Sequence, residues 1–311
     1  MVTLVVKRIG FMIFTMIIVS LILFLLLETE LTGDPAIRVL GQFSNEEQRE
    51  LWREQHGYNE PVMWRYVKWL GNFATGNLGE SIRFKGPVAD VMLPRLWNTA
   101  ILGFWTFAIM IPLSLTLGVL SGMKEGSMLD RSISVFGILT TSVPEFASAV
   151  MFSALFVFGL KWLPGTSSMS SGFDFKQLIL PAMVLIVYDF GYVARMTRAS
   201  MAEVMTSQYI RTAVLKGLPY KSVIIKHALR NALIAPFTVI MLQINWLLSG
   251  VIVVEFFFAY KGFGALILEA SLNNDIALLE ACAMVAVCVA VATQTIADIG
   301  YTFLNPRIRF K

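Results

Sequence analysis

Tyr209-Ile210-Arg211-Thr212-Ala213-Val214-Leu215-Lys216-Gly217-Leu218-Pro219 reads as a short helix stopped by glycine and proline. A second short helix, Tyr220 to Leu233, follows it. Apolar runs near 178–197 and 235–258 flank the pair, so a basic two-helix loop joins two segments suited to a bilayer. Nucleic-acid binding explains the loop poorly, because its basic residues flank apolar spans and form no separable domain. Contact with anionic lipid is the plainer alternative to a specific partner.

Moving outward, six stretches are long and apolar enough to cross a bilayer: 9–27, 98–121, 132–159, 178–197, 235–258 and 278–303. The expected fold is an all-α integral membrane protein with six transmembrane helices, several of them interrupted, at Pro112, Pro144, Gly191 and Gly250. Composition agrees. Of 311 residues, 56% are hydrophobic and only 15% charged, with a mean hydropathy of +0.68, outside the usual range for a soluble domain. The first stretch follows Lys7 and Arg8, as a signal peptide would. Its apolar part is too long for one and Glu28-Thr29-Glu30 is a poor cleavage site, so an uncleaved helix is expected.

The net charge of +4 matters less than its distribution. Basic residues cluster at Lys7, Arg8, Lys124, Arg131, Arg195, Arg198, at 211–230 and at Arg307, Arg309 and Lys311, whereas the short loops between carry only Lys161, Lys176 and Lys261. The positive-inside rule then places both termini in the cytoplasm, in a cytoplasmic (inner) membrane. The expected organisation is a transmembrane helix over 1–27, an external segment over 28–97, a five-helix core over 98–303 with a cytoplasmic loop at 198–234, and a cytoplasmic tail over 304–311. Within 28–97, Ser44-x-x-Glu47 reads as a capping box opening a polar helix to about Gln55. Pro61 precedes an aromatic-rich helix suited to a membrane interface. That segment is either a cap on the bundle or a docking surface.

Ordered motifs along the chain resemble the permeases of ATP-binding-cassette (ABC) importers, in their oligopeptide/dipeptide/nickel branch. Arg211-Thr212-Ala213-x-x-x-Gly217 followed by His227-Ala228-Leu229-Arg230-Asn231-Ala232-Leu233 looks like the family's cytoplasmic "EAA" loop, with arginine in place of its first acidic residue. Gly57-Tyr58-Asn59-Glu60-Pro61, Tyr66-x-x-Trp69-Leu70-Gly71 and Gly76-Asn77-Leu78-Gly79-x-Ser81 match the external region. Asp130-Arg131, Ser142-Val143-Pro144, Trp162-Leu163-Pro164, Val254-Glu255, Gly262-Phe263-Gly264 and Asn305-Pro306-Arg307-Ile308-Arg309 fit in turn. Pro236 follows Ala235, one place later than in many relatives, which shifts the expected kink into the fifth span.

The resemblance implies the type I importer fold and a set of partners: a second homologous permease, two cytoplasmic ATPase subunits and an external solute-binding protein. ATP and Mg belong to the ATPases, and this chain needs no cofactor. The helix after Gly217 becomes the coupling element, with Arg211, Thr212, Ala213, Gly217, Leu218, Pro219, Lys221, His227, Arg230 and Asn231 at the ATPase contact. A left-handed stop at Gly217 is expected. The solute is first of all an oligopeptide or dipeptide. Nickel chelates and oligosaccharides are alternatives within the same machinery.

No P-loop and no nucleophile with its base is legible, so the chain is not expected to be an enzyme. A secondary transporter or channel leaves the internal loop unexplained. His56 and His227 fall outside the spans on opposite sides, and Cys282 and Cys288 suggest neither a disulfide nor a metal site. Ionisable residues inside spans are functional candidates. Glu145, grouped with Thr141, Ser148 and Phe152, and Asp189, grouped with Tyr192 and Met196, are expected near mid-helix with no lysine or arginine at their depth. Thr238, Asn245 and Ser249 add a polar stripe. These faces either line a pathway, or pack against neighbouring helices or pair with the second permease. Glu255 and Asp298 lie nearer span ends, where structural roles are expected.

Overall fold

The structure, a computed structural model, describes residues 2–28, 34–169 and 172–304. Side chains at 2–5, 8, 28, 38, 245–250, 298–299 and 301–304 fall outside that description, as do residues 305–311 with the closing Asn305–Arg309 motif. In chain order the helices are α1 Val2–Glu28, α2 Pro35–Leu40, α3 Glu46–Gln55 and α4 Val62–Ala74, followed by a two-residue hairpin, β1 Glu80–Ser81 with β2 Gly86–Pro87. Then come α5 Val88–Met123, α6 Met128–Ser142, α7 Glu145–Phe152 running into a π turn at Ser153–Gly159, and α8 Phe175–Met205. The loop region holds α9 Gln208–Leu215, α10 Tyr220–Ser222, a π turn at Val223–Ala228 and α11 Leu229–Ala232. α12 Ile234–Phe257, α13 Phe263–Leu272 and α14 Ile276–Leu304 complete the chain.

Among the described residues, four helices are long and apolar enough to cross a membrane, or up to six if each of two bent pairs counts as one span. The expected third span is one of these pairs. α6 and α7 meet at 103°, so 132–159 is not a straight helix. Pro144 has no N–H to donate back into α6 and forces Val143 into extended backbone, at φ −92° and ψ 122°. The other expected interruptions do not occur. Pro112, Gly191 and Gly250 sit inside unbroken α5, α8 and α12. α5 also starts at Val88 rather than 98, and its 36 residues are longer than a bilayer's hydrocarbon core requires.

The chain forms two compact units, 1–99 with 261–295 and 100–260 with 296–311. In the first, the Tyr66 hydroxyl of α4 donates to the Ile17 carbonyl (3.2 Å) and shares a 2.8 Å hydrogen bond with Ser20, tying α4 to α1. Asp275 anchors the hairpin by accepting from Ser81 Oγ (2.5 Å) and the Arg83 N–H (3.1 Å). α13, unforeseen from the sequence, buries Phe263 and Leu266 against Val88, Met92 and Leu278. The capping box at α3 lies one residue later than expected. Asn45 caps the Gln48 N–H (2.8 Å) and Gln48 Oε1 answers the Asn45 N–H (3.1 Å). Ser44 is spent on the preceding turn, donating to the Gly41 carbonyl. Asparagine caps as well as serine, so composition alone did not separate the two.

In the second unit, α8 is the hub, packed by α6, α7 and α12. Gly191 of α8 crosses α6 so closely that a Cβ there would lie 2.3 Å from the Gly137 carbonyl oxygen and 2.4 Å from Thr140 Oγ1. Only a glycine permits that approach.

Candidate functional site: a docking loop and the helices it rests on

The end of α8 carries the two-helix loop. Gly217 ends α9 with φ +74°, the left-handed conformation expected of it, and its N–H reaches the Val214 carbonyl (2.9 Å). Pro219 then starts the second helix, which is continuous from Tyr220 to Ala232 through its π turn and bends by 47° into α12 at Leu233. The kink therefore precedes Pro236, which lies within the first turn of α12, where a missing N–H costs nothing.

The loop has a core of its own. Ile210, Ala213, Val223, Ile224, Ala228 and Ala232 pack with Met201 at the end of α8, and with the partly buried Val119 and Met123 of α5. Ala213 is thus a core residue. Arg211, Thr212, Gly217, Leu218, Pro219, Lys221, His227, Arg230 and Asn231 are exposed. Asn231 Nδ2 donates to the Tyr209 hydroxyl (2.9 Å), joining the two helices. Between the basic residues, Leu215 is 87% exposed, and Val214, Tyr220 and Ile225 are also more than half exposed. An apolar patch inside a cationic rim is the profile of a docking surface.

One ion-pair cluster fixes the root of the loop and was not anticipated. Arg198 donates to both Asp130 oxygens, Nε to Oδ1 at 2.9 Å and Nη2 to Oδ2 at 2.8 Å. Asp130 also accepts from Ser121 Oγ and the Gly126 N–H, and Glu125 adds a second partner for Arg198 at 3.3 Å. The turn between α5 and α6 is thereby clamped to α8 about two turns before that helix ends at Met205. The sequence showed Asp130 only in the Asp130-Arg131 motif and Arg198 only as a basic residue near a span end, with nothing to join them.

The acidic candidates are buried. Asp189 is fully buried on α8 and accepts a 2.6 Å hydrogen bond from Gln243 Nε2 of α12. It therefore has a partner although no lysine or arginine among the described residues pairs with it, because an amide donates as well. Glu145 is not at mid-helix. It opens α7 directly after the break, is 9% exposed, and lies near enough to Asp189 to interact electrostatically. Thr141 is on the far side of the bend and donates to Gly137, so the expected Thr141–Glu145 face does not exist. Glu145 Oε1 and Asp189 Oδ2 have no hydrogen-bond partner among the described residues. Tyr192 is exposed on α8, and Thr238 is half-buried with its hydroxyl on the Ile234 carbonyl (3.2 Å). The side chains of Asn245, Ser249 and Asp298 lie outside the described set.

Residues 114–310 match the family described as binding-protein-dependent transport system inner membrane component, and residues 1–101 match its N-terminal region. The chain belongs to this family. As such it is a multi-pass membrane permease. It is 35% identical over 314 residues to a Brucella abortus protein named a peptide transport system permease, with the whole of both chains covered. It is 33% identical to the oligopeptide transport system permease protein AppB of Bacillus subtilis over 89% of this chain and 90% of that one. It is 32% identical to the dipeptide transport system permease protein DppB of Alkalihalophilus pseudofirmus, over 89% of this chain and 91% of that one.

Proposed function

We propose that this permease is one of two such subunits in an ATP-driven importer of peptides, supplied by an external solute-binding protein and powered by two cytoplasmic ATPase subunits. The observation that carries the reading is the exposed apolar patch on a loop whose core is shared with the ends of α8 and α5. A push on that patch is transmitted to the bundle without first deforming the loop, because a packed core moves as a body. The names of the relatives favour peptides, and ATP and Mg are assigned to the partner ATPases, so hydrolysis is not the work of this chain.

In this reading the segment 28–97 lies outside, and the pathway runs beside α7, α8 and α12, with Glu145 and Asp189 favouring solutes that carry positive charge. Two buried carboxylates, each with an oxygen that has no hydrogen-bond partner among the described residues, support that preference. Glu145→Gln and Asp189→Asn should lower uptake of cationic peptides more than of neutral ones. Equal slowing of all solutes removes both residues from the pathway. The docking assignment is tested by cysteine pairs between residues 218–226 and an ATPase subunit. Crosslinks that form in the assembled complex and change in yield with ATP are expected. A complex that hydrolyses ATP in response to solute yet gives no crosslink anywhere in 218–226 sinks the assignment.

A further inference from the structure

Through 178–187, α8 is buried or half-buried at every position. From there it uncovers one stripe, Tyr192, Arg195 and Ala199, at spacings of three and four that keep them on one face. The faces that α6 uncovers over 135–139 and α1 over 11–17 are ones that hydrocarbon would accept. α6 exposes Val135, Phe136, Ile138 and Leu139, and α1 exposes Phe11, Ile13, Phe14 and Ile17. A phenol and a guanidinium in the same situation belong beside water or protein rather than hydrocarbon, and the small Ala199 next to them leaves room for a partner.

Arg195 is also held in place. A Cβ on Gly137 of α6 would lie 3.2 Å from its Cγ and 3.3 Å from its Cδ, so the aliphatic stem of Arg195 rests on the glycine surface of the neighbouring helix. Arg195 lines a groove of about 340 Å³ together with Ser134, Tyr192, Met196, Arg198 and Ala199. The two arginines there differ in what they have left to give. Arg198 is committed to Asp130 and Glu125. Arg195 has no hydrogen bond or ion pair among the described residues, and so presents an uncommitted fork of donors beside two hydroxyl groups.

We propose that this groove between α6 and α8 receives the carboxylate at the end of a transported peptide, with Arg195 as its principal donor. The proposal rests on the peptide-import reading above and adds a recognition element within the permease itself. Planar bidentate pairing of guanidinium with carboxylate is the chemistry that fits an oriented, unpaired arginine. The two other oxyanions that would satisfy it, a phospholipid phosphate and a carboxylate of the second permease, are separated by experiment.

The complete importer is reconstituted in vesicles, and uptake is compared for a short peptide and its carboxy-terminal amide, chosen so that the binding protein loads both. Arg195→Gln should lower the acid-to-amide uptake ratio by about tenfold, as loss of a charged hydrogen-bond donor does, while uptake of the amide holds. Arg195→Lys should recover part of the ratio, because it restores charge without the fork. The ratio should be the same in vesicles of neutral phosphatidylcholine and in vesicles containing phosphatidylglycerol. An unchanged ratio in Arg195→Gln, or equal loss of both peptides, overturns the proposal and leaves the peptide reading intact. A ratio that follows anionic lipid content overturns it in favour of a headgroup site, and failure of the variant to assemble overturns it in favour of a subunit contact. If the wild-type importer takes up neither compound, the peptide reading fails and takes this one with it.

Discussion

At Gly217 a single dihedral decides whether the loop keeps its shape. Its φ of +74° is open to glycine, and nothing lies within 4 Å of where a Cβ would be, so the objection to a larger residue is conformational and not steric crowding. Holding a β-branched residue there costs on the order of 1–3 kcal/mol. Gly217→Val should therefore insert and assemble while solute-stimulated ATP hydrolysis and uptake fall together, and Gly217→Asn should keep more of both because asparagine tolerates this region. Normal transport by the valine variant would show that the loop is not the coupling element. Asp34 is a second residue whose effect has a definite sign. Partial burial pushes its carboxyl up, but the hydrogen bond from Arg53 (2.6 Å), the Ala36 N–H and the charges of Arg53 and Arg49 more than offset this, and the carboxyl is held below its ordinary value. Its contribution is thus fully present above the unfolded pKa of about 3.9 and is lost as pH falls through the lower folded value. Arg53→Gln should cost up to about 1 kcal/mol near neutral pH and nothing once Asp34 is protonated in both forms. Limited proteolysis at 34–60 across pH reads this directly, and a penalty independent of pH would mean that the pair contributes by packing.

Among the elements, the bend between α6 and α7 and the crossing of α6 with α8 were legible to different degrees. Pro144 was visible as a breaker, but a proline is compatible with a mild kink or a full turn. What makes it a 103° break is that Val143 leaves helical space altogether and α7 restarts on its own, with the Ala147 and Ser148 N–H groups returning to the Pro144 carbonyl. The Gly137–Gly191 crossing could not be read from sequence, because it depends on which faces meet. Gly191→Ala places a methyl group against the Gly137 backbone and Thr140, where neither neighbour can move aside, and should destabilise the assembled permease by about 1–3 kcal/mol. A lower melting temperature in detergent with unchanged transport per surviving complex is the expected outcome; no loss of stability would mean that α6 and α8 separate more easily than this packing implies. The two loop helices, by contrast, were legible almost residue by residue, because Gly217 and Pro219 fix their boundaries through local chemistry. The partners of Asp189 and Arg198 were not. Gln243 and Asp130 are 54 and 68 residues away in sequence, and only the packing of the helices brings them in.

For the whole molecule, sidedness hangs on how the α6–α7 pair is counted. If the pair crosses the bilayer once, α8 starts on the side opposite to the turn between α5 and α6 and returns the loop at 198–234 to that turn's own side. If the pair is instead a re-entrant loop, α8 runs the other way and the same loop emerges across the membrane. The basic residues favour the first arrangement, since Lys124, Arg131, Lys216, Lys221 and Lys226 then share one side. The clamp from Arg198 to Asp130, Gly126 and Glu125 adds a reason independent of composition. It joins the end of α8 to the turn between α5 and α6 through charged groups, and both partners must be at the same face for it to form. We therefore predict that a reporter fused after Gly126 and one fused after Leu218 report the same, cytoplasmic side. Reporters after Lys311 and Glu60 should read cytoplasmic and external respectively. Opposite signals from Gly126 and Leu218 would make α6–α7 a re-entrant loop and move the docking patch away from any cytoplasmic ATPase, removing the proposed coupling with it. An external signal after Lys311 alone would leave that loop in place and change only the number of crossings after α12.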